Sequence, residues 1–214
     1  MKRTLLLLVA MVCTIATKAQ YEAAKQVFES PKLKESVAKH KLVAILPFDT
    51  KISFKKQPKD FNFEANKEKE RSMAYSIQSS MYTFLLRKLK NYTVDFQDVE
   101  KTNTLLKKAG MADDLSAHTK DEIAKALGVD AVIGGTFETE QTKSEAGAIV
   151  TTVLFGSLGS KSGSGSLTMT INDGSNGDLL WRFYKSMSDT VFTTTDDLVD
   201  RMMRKVSRNF PYSK

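Results

Sequence analysis

The chain has 214 residues, a formal net charge of +7 and a hydrophobic content of 41%. This length predicts a single domain with short appendages, and the hydrophobic content is that of a globular protein with a sizeable core. The one cysteine, Cys13, excludes a disulfide framework within the chain.

The first nineteen residues have the pattern of a secretory signal peptide. Lys2 and Arg3 form a basic start, which an apolar run at Leu5–Ile15 follows. Thr17–Ala19 is a small-x-small cleavage motif. The apolar run is shorter than the roughly 20 residues that cross a membrane as a helix. We therefore expect export and cleavage after Ala19.

Cys13 does not have the context of a lipid-attachment site, because Val12 stands where a lipoprotein signal has a small residue. We expect no lipid anchor there. Cleavage of the signal peptide would leave a chain without a thiol nucleophile and with a net charge of about +4. Such a mildly basic exported protein is not expected to bind nucleic acid.

Residues 20–40 are predicted to form an N-terminal helical arm, ahead of an α/β domain at residues 41–214. Apolar residues within Tyr21–Lys39 recur at helical spacing. Ser30 is placed to cap a second helical stretch whose first residue is Pro31.

The first half of the domain is predicted to alternate strands and helices. In chain order these are a buried strand at Leu42–Phe48, a polar irregular stretch at Asp49–Lys69, an amphipathic helix at Arg71–Lys90, a short strand at Tyr92–Phe96, and a helix capped by Asp98 and ended by Gly110. In the long helix, apolar residues at every fourth position from Met73 to Leu89 predict a core-facing stripe.

The segment Thr119–Glu140 has the pattern of a complete helix–turn–strand unit. Thr119 and Glu122 form a capping box, and Gly128 stands where the helix ends. Ala131–Phe137 is apolar on both faces, which predicts a strand that is covered on both sides.

Neither of the two glycine-containing stretches has the pattern of a phosphate-binding loop. Gly134 and Gly135 lie inside the predicted strand, where we expect them to let a helix approach the sheet closely. The stretch Gly156–Ser162 has its glycine and lysine in the wrong order for a P-loop and opens no helix. It is predicted to be a flexible hairpin tip.

The second half of the domain is predicted to be antiparallel strands followed by a helix. Its parts are strands at Ala146–Phe155, Ser166–Asn172 and Leu179–Tyr184, a glycine–serine tip at Gly156–Gly165, a turn at Asp173–Gly177, and a helix from Thr194 that Pro211 ends. The predicted fold class is therefore α/β (α+β): a single mixed sheet with helices packed on it, ending in an antiparallel meander and a C-terminal helix.

Three stretches of the domain carry a family resemblance: Leu42–Phe48 (LVAILPF), Ile123–Phe137 (IAKALGVDAVIGGTF) and Asp173–Trp181 (DGSNGDLLW). Together they resemble the family of bacterial envelope proteins that includes CsgG, LpoB and the N-terminal domain of TolB. The resemblance spans about Lys41–Phe210. It implies an α/β domain at the envelope of a double-membraned bacterium that works through protein–protein contact.

The sequence departs from the pore-forming branch of that family. A pore of this type needs membrane hairpins whose strands alternate lipid-facing apolar and lumen-facing polar residues. Ile52–Lys69 is charged and contains Pro58, and Ala146–Phe155 is apolar on both faces. A subunit of an outer-membrane secretion pore is therefore the second hypothesis, behind a binding module.

No constellation of catalytic or metal-ligating residues stands out. His40 and His118 have no HxxxH or HxxE spacing, and we expect both to be exposed to solvent. A GxSxG motif is absent. We expect no cofactor and no enzymatic activity, and a secreted enzyme of unknown type is the third hypothesis.

The candidate binding residues lie in the polar stretch after the first strand: Phe54, Lys55, Lys56, Phe61 and Phe63. Aromatic residues anchor interfaces, and lysines at the rim would attract an acidic partner. We therefore predict a non-enzymatic periplasmic or outer-membrane-associated module that binds envelope proteins or peptidoglycan. The oligomeric state stays open, a homo-oligomer included.

Overall fold

The computed structural model describes residues 25–141, 163–187 and 195–214. The predicted signal peptide with Cys13 and the predicted strand at Ala146–Phe155 lie outside these ranges, as does most of the glycine–serine tip. Among the described residues there are seven strands and five helices: β1 (Gln26–Glu29), α1 (Leu33–Val37), β2 (Leu42–Ile45), β3 (Asp49–Phe54), α2 (Phe63–Arg87), β4 (Asp95–Phe96), α3 (Val99–Lys108), α4 (Lys120–Leu127), β5 (Ala131–Gln141), β6 (Gly163–Asp173), β7 (Leu179–Met187) and α5 (Thr195–Val206).

All seven strands belong to one mixed sheet in the order β1-β7-β6-β5-β2-β4, and β3 also pairs with β5. The strands β2 and β3 run parallel to β5 along successive parts of its length, at Ala131–Ile133 and at Thr136–Gln141. The strands β6, β7 and β1 continue the sheet in antiparallel pairs. The predicted fold class is confirmed.

Helices cover the two faces of the sheet unequally. On one face, α2 and α5 pack over an apolar layer that includes Ile45, Ile133 and Trp181, all fully buried. On the other face, α3 and α4 cover only the parallel end of the sheet, around Leu46 and Val132. Beyond that point the second face carries polar side chains of β5 and β6 that are half-exposed or exposed.

The helix–turn–strand unit is built as its sequence predicts. The Thr119 side chain accepts a hydrogen bond from the Glu122 N–H, and the Glu122 carboxylate accepts one from the Thr119 N–H. Gly128 ends α4 with a φ of 65°, a left-handed conformation that costs a residue without Cβ little. Asp130 then accepts hydrogen bonds from the N–H groups of Lys41 and Leu42, which joins the turn to the start of β2.

Glycine is needed in β5 for a different reason from the one the sequence suggests. A Cβ on Gly135 would overlap the main-chain oxygen of Thr168 in β6 and lie 2.6 Å from a ring carbon of Phe48. A Cβ on Gly134 would meet only ordinary contacts, at 3.8 Å or more. Gly135 therefore admits an aromatic ring and a neighbouring strand, and the expectation of a close helix is wrong for this position.

Within residues 25–40, the prediction of an N-terminal helical arm is wrong for Gln26–Glu29, and its second helical stretch is confirmed only over Leu33–Val37. Gln26–Glu29 is a strand that pairs with β7, and only Leu33–Val37 is helical. The side chain of Val27 packs against the core while that of Phe28 is 48% exposed on the opposite face. Their alternation fits a strand, and pairing with residues 152 to 158 positions away overrides the local helical spacing.

The stretch Asp49–Lys69, predicted to be irregular, contains a strand and the start of a helix. In β3 the side chains of Thr50 and Ile52 are buried while their neighbours are exposed, which is the alternation of a strand on a core. The long helix begins at Phe63, eight residues before the predicted start, and Asn62 caps it by accepting a hydrogen bond from the Ala65 N–H. The predicted short strand at Tyr92–Phe96 is reduced to Asp95–Phe96.

Candidate partner-binding site

The five predicted binding residues lie at one corner of the molecule, where β3 ends and α2 begins. We call the surface of Phe54, Lys55, Lys56, Phe61 and Phe63 the aromatic–basic surface. Phe54 is the last residue of β3 and Phe63 is the first residue of α2. The structure therefore places all five within one connection between two well-defined elements.

The three aromatic side chains have different environments. The rings of Phe54 and Phe61 meet edge to face, with 5.7 Å between their centroids, and both are half-buried. This is a favourable arrangement of aromatic rings, and Phe54 packs onto the core as well. Phe63 is 58% exposed, the largest exposed fraction among the large hydrophobic side chains of the described residues. The structure thus separates a supporting pair from one free aromatic residue.

One lysine lies at the exposed ring, and three more lie in the loop that precedes it. The Lys67 ammonium lies 5.6 Å from the centroid of Phe63, within the range of a cation–π contact. Lys55, Lys56 and Lys59 are exposed in the connecting loop. Lys67 was not among the predicted residues, and it is recognisable only once α2 is known to begin at Phe63.

Side chains of α2 hold this corner in place. The N–H of Ile52 in β3 donates to the Glu70 carboxylate at 2.9 Å, and the Ile52 carbonyl accepts from the Asn66 amide at 3.2 Å. Asn66 also donates to Glu70 at 3.1 Å, and Thr50 donates to the main-chain carbonyl of Glu70. These bonds occupy the free edge of β3 and fix the helix to the strand. Sequence reasoning missed Asn66 and Glu70 because the helix start was placed too late.

His40 is buried, contrary to the prediction, and it belongs to a polar cluster at the C-terminal segment. Its side chain is within hydrogen-bond distance of the Tyr212 hydroxyl (2.9 Å from Nδ1) and lies 3.6 Å from the Asp173 carboxylate (from Nε2). Burial lowers the pKa of His40, while the nearby Asp173 and Asp130 partly oppose that shift. Burial also raises the pKa of Tyr212.

This cluster joins distant parts of the chain. Both ring nitrogens of His40 face protein groups, and Tyr212 is fully buried. The arrangement therefore connects the start of β2, the turn after β6 and the C-terminal segment. An open cleft of about 460 Å³ lies beside it, between α1 and Pro211.

His118 is half-exposed, with its Nδ1 3.9 Å from Glu122. Within the described ranges, no group of three or more His, Cys, Asp or Glu side chains could hold a metal ion. None of the helices in the described part of the chain is long and apolar enough to span a bilayer.

Several solved structures align with most of this chain at low sequence identity. A PelC dodecamer from Paraburkholderia phytofirmans has 11% identity and a TM-score of 0.41, over 89% of this chain and 98% of that chain. Lipoprotein GNA1162 from Neisseria meningitidis has 14% identity and a TM-score of 0.44, over 79% and 99%. LpoB from E. coli has 10% identity and a TM-score of 0.40, over 74% and 66%. LpoB, one member of the family named in the sequence analysis, is thus among the similar solved structures.

No family model matches the chain, and no curated protein matches it. Structural similarity at these TM-scores assigns neither a family nor a function. The site is therefore interpreted from its own residues.

Proposed function

We propose that this chain is an exported, non-enzymatic module that binds another protein of the cell envelope through the aromatic–basic surface. The observation that carries the proposal is Phe63, an aromatic side chain 58% exposed at the first turn of a long helix, with the Lys67 ammonium 5.6 Å from its ring. The signal-peptide pattern and the sequence resemblance to envelope proteins support the location.

The surface has the composition of an interface anchor. Exposed aromatic rings bury a large area on binding and lose little side-chain freedom, which is why they dominate binding energy. Phe63 would supply that area, and the half-buried pair of Phe54 and Phe61 would form the apolar floor beside it.

The surface is also rigid enough to bind without a large ordering cost. β3 pairs with β5 over six residues, and Asn66 and Glu70 fasten its outer edge to α2. Binding groups held on fixed elements lose less entropy when a partner docks.

The charge around Phe63 favours an acidic partner. Lys55, Lys56 and Lys59 are exposed, and the Lys67 ammonium lies over the Phe63 ring. Rim charges of this kind mainly raise the association rate, and salt screens them. We therefore expect association that slows as the ionic strength rises.

The first experiment locates the interface in cells. A photo-crosslinking amino acid at position 63 should give a defined product with one envelope protein, to be identified by mass spectrometry. Position 86 is the matched control, because Leu86 is 42% exposed on the same helix, roughly 35 Å further along its axis. Equal products from both positions, or none from position 63, would contradict the proposal.

The second experiment measures the interface with the purified partner. Phe63→Ala should weaken binding by about fivefold or more, because it removes an anchor worth over about 1 kcal/mol. Leu86→Ala should change the affinity less than about twofold. Lys55→Glu with Lys56→Glu should slow association at low salt and have little effect at high salt. An affinity that is unchanged in Phe63→Ala would refute this surface as the binding site.

A further inference from the structure

Within the described residues, β1 is the last strand at one end of the sheet. Among these residues it pairs with β7 alone, and the Ser30 N–H donates to the Leu180 carbonyl at 2.8 Å. In an antiparallel pair, alternate residues direct their main-chain groups towards the neighbouring strand. Since Ser30 faces β7, Phe28 and Gln26 do so too. Val27, like Lys25 and Glu29 on either side of it, directs its N–H and carbonyl away from the sheet.

The other edges of the sheet are protected. The outward groups of Ile52 in β3 are taken up by Glu70 and Asn66, as described above. The strand β4, at the opposite end of the sheet, is only two residues long. Short strands and covering side chains are the usual means of preventing edge-to-edge pairing. β1 has four residues, twice as many as β4, and among the described residues no side chain is hydrogen-bonded to its outward main-chain groups.

We propose that β1 pairs with β1 of a second copy of this chain, antiparallel, about a two-fold axis at Val27. In this register Val27 lies opposite Val27 of the second copy, and Lys25 lies opposite Glu29 of the second copy. The outward groups of residues 25, 27 and 29 then form about six main-chain hydrogen bonds across the axis. The two sheets join into one continuous sheet.

Charge complementarity selects this partner and this register. Lys25 and Glu29 are both exposed, on the same face of β1, and neither has an ion-pair partner within the described residues. The two-fold axis places each lysine opposite a glutamate, which gives two symmetric cross-strand ion pairs. Cross-strand pairs of opposite charge stabilise antiparallel strands, and like charges destabilise them.

The apolar residues of β1 fit the same arrangement. Val27 is half-buried against the core and would be covered by its symmetry mate. Phe28 is 48% exposed on the other face and would lie opposite Gln26 of the second copy. Because one four-residue strand buries less area than a standard interface, we expect a reversible dimer with an affinity in the micromolar range.

The test is sedimentation velocity on the full chain over a concentration series. The wild type should shift from monomer to dimer, while Lys25→Glu and Glu29→Lys should each stay monomeric because like charges then face each other. An equimolar mixture of the two variants should dimerise again, since every lysine then has a glutamate opposite it. A wild type that remains monomeric throughout, single variants that still dimerise, or a mixture that does not, would each overturn the proposal.

Two further variants examine the axis itself. Val27→Pro removes the outward N–H at an edge position that tolerates proline, so it should abolish dimerisation while the Tm stays within a few degrees. In a Cys13→Ser background, Val27→Cys should form an intermolecular disulfide on mild oxidation, because paired Cα atoms are then about 5.5 Å apart. Phe28→Cys should form far less. Equal oxidation of both variants would refute the register.

Discussion

Replacing Gly134 or Gly135, which are adjacent in β5, by alanine should have opposite effects on stability. At Gly135 the new Cβ would overlap the carbonyl oxygen of Thr168 and lie 2.6 Å from the ring of Phe48. The oxygen belongs to the β5–β6 pairing, so it cannot move without distorting the sheet. Overpacking of this kind costs about 1–3 kcal/mol or more, and the loss of unfolded-state freedom returns only about 0.4–1 kcal/mol. We expect Gly135→Ala to lower the free energy of unfolding by about 2 kcal/mol or more.

At Gly134 the new Cβ would lie 3.8 Å from Leu46 and 3.9 Å from Thr170, which are ordinary contacts. Gly134→Ala should therefore be neutral or stabilising by up to about 1 kcal/mol. Urea titrations followed by circular dichroism would compare the two midpoints, with the slope checked for an unchanged m-value. Equal midpoints, or a less stable Gly134→Ala variant, would refute the packing described for β5.

Three other measurements examine the core, the buried histidine and the proposed surface. Ile133→Ala should lower the free energy of unfolding by about 2–5 kcal/mol in urea titrations, because Ile133 is fully buried. His118 is half-exposed, so His118→Ala should lower it by less than about 0.5 kcal/mol. The reverse ranking would contradict the burial of β5. Burial lowers the pKa of His40 below 6.5 in the folded state, so the unfolded state binds a proton first as the pH falls. The free energy of unfolding should therefore fall below about pH 6.5, by at most about 1.4 kcal/mol per pH unit, until the folded pKa is reached. Thermal melts from pH 7.5 to 4.5 that show no such loss would contradict a lowered pKa, with His118→Ala as the matched control that should keep it. Finally, Phe63→Ala should leave the Tm within about two degrees while Phe61→Ala lowers it, since only the Phe61 ring has a packed aromatic partner; equal Tm values would contradict that difference in burial.

The fold class and most element positions could be predicted because they depend on local patterns. The capping box of Thr119 and Glu122 and the left-handed Gly128 set the boundaries of α4 whatever lies around it. The alternation of Leu167 and Met169 placed the inward face of β6, because the side-chain period of a strand is read from the sequence itself.

The candidate site was predicted in part. Aromatic and basic residues are conspicuous in a polar stretch, so Phe54 to Phe63 could be named from composition. Which ring is free could not, because the packing of Phe61 on Phe54 depends on where β3 ends and α2 begins. The support from Asn66 and Glu70 depends on the same boundary.

What the tertiary structure alone decided are the features that join residues far apart in the chain. Val27 has a helical spacing in the sequence but lies in a strand because it pairs with Phe183. That partner is more than 150 residues away, so the local sequence does not reveal it. His40 is flanked by lysines and reads as exposed, yet the C-terminal Tyr212 covers it. Gly135 reads as a site for a helix, and the space it leaves is filled by Phe48 from the connection between β2 and β3. Local sequence determines the conformations that a segment favours, but burial and pairing depend on contacts that form only when the chain closes into its sheet.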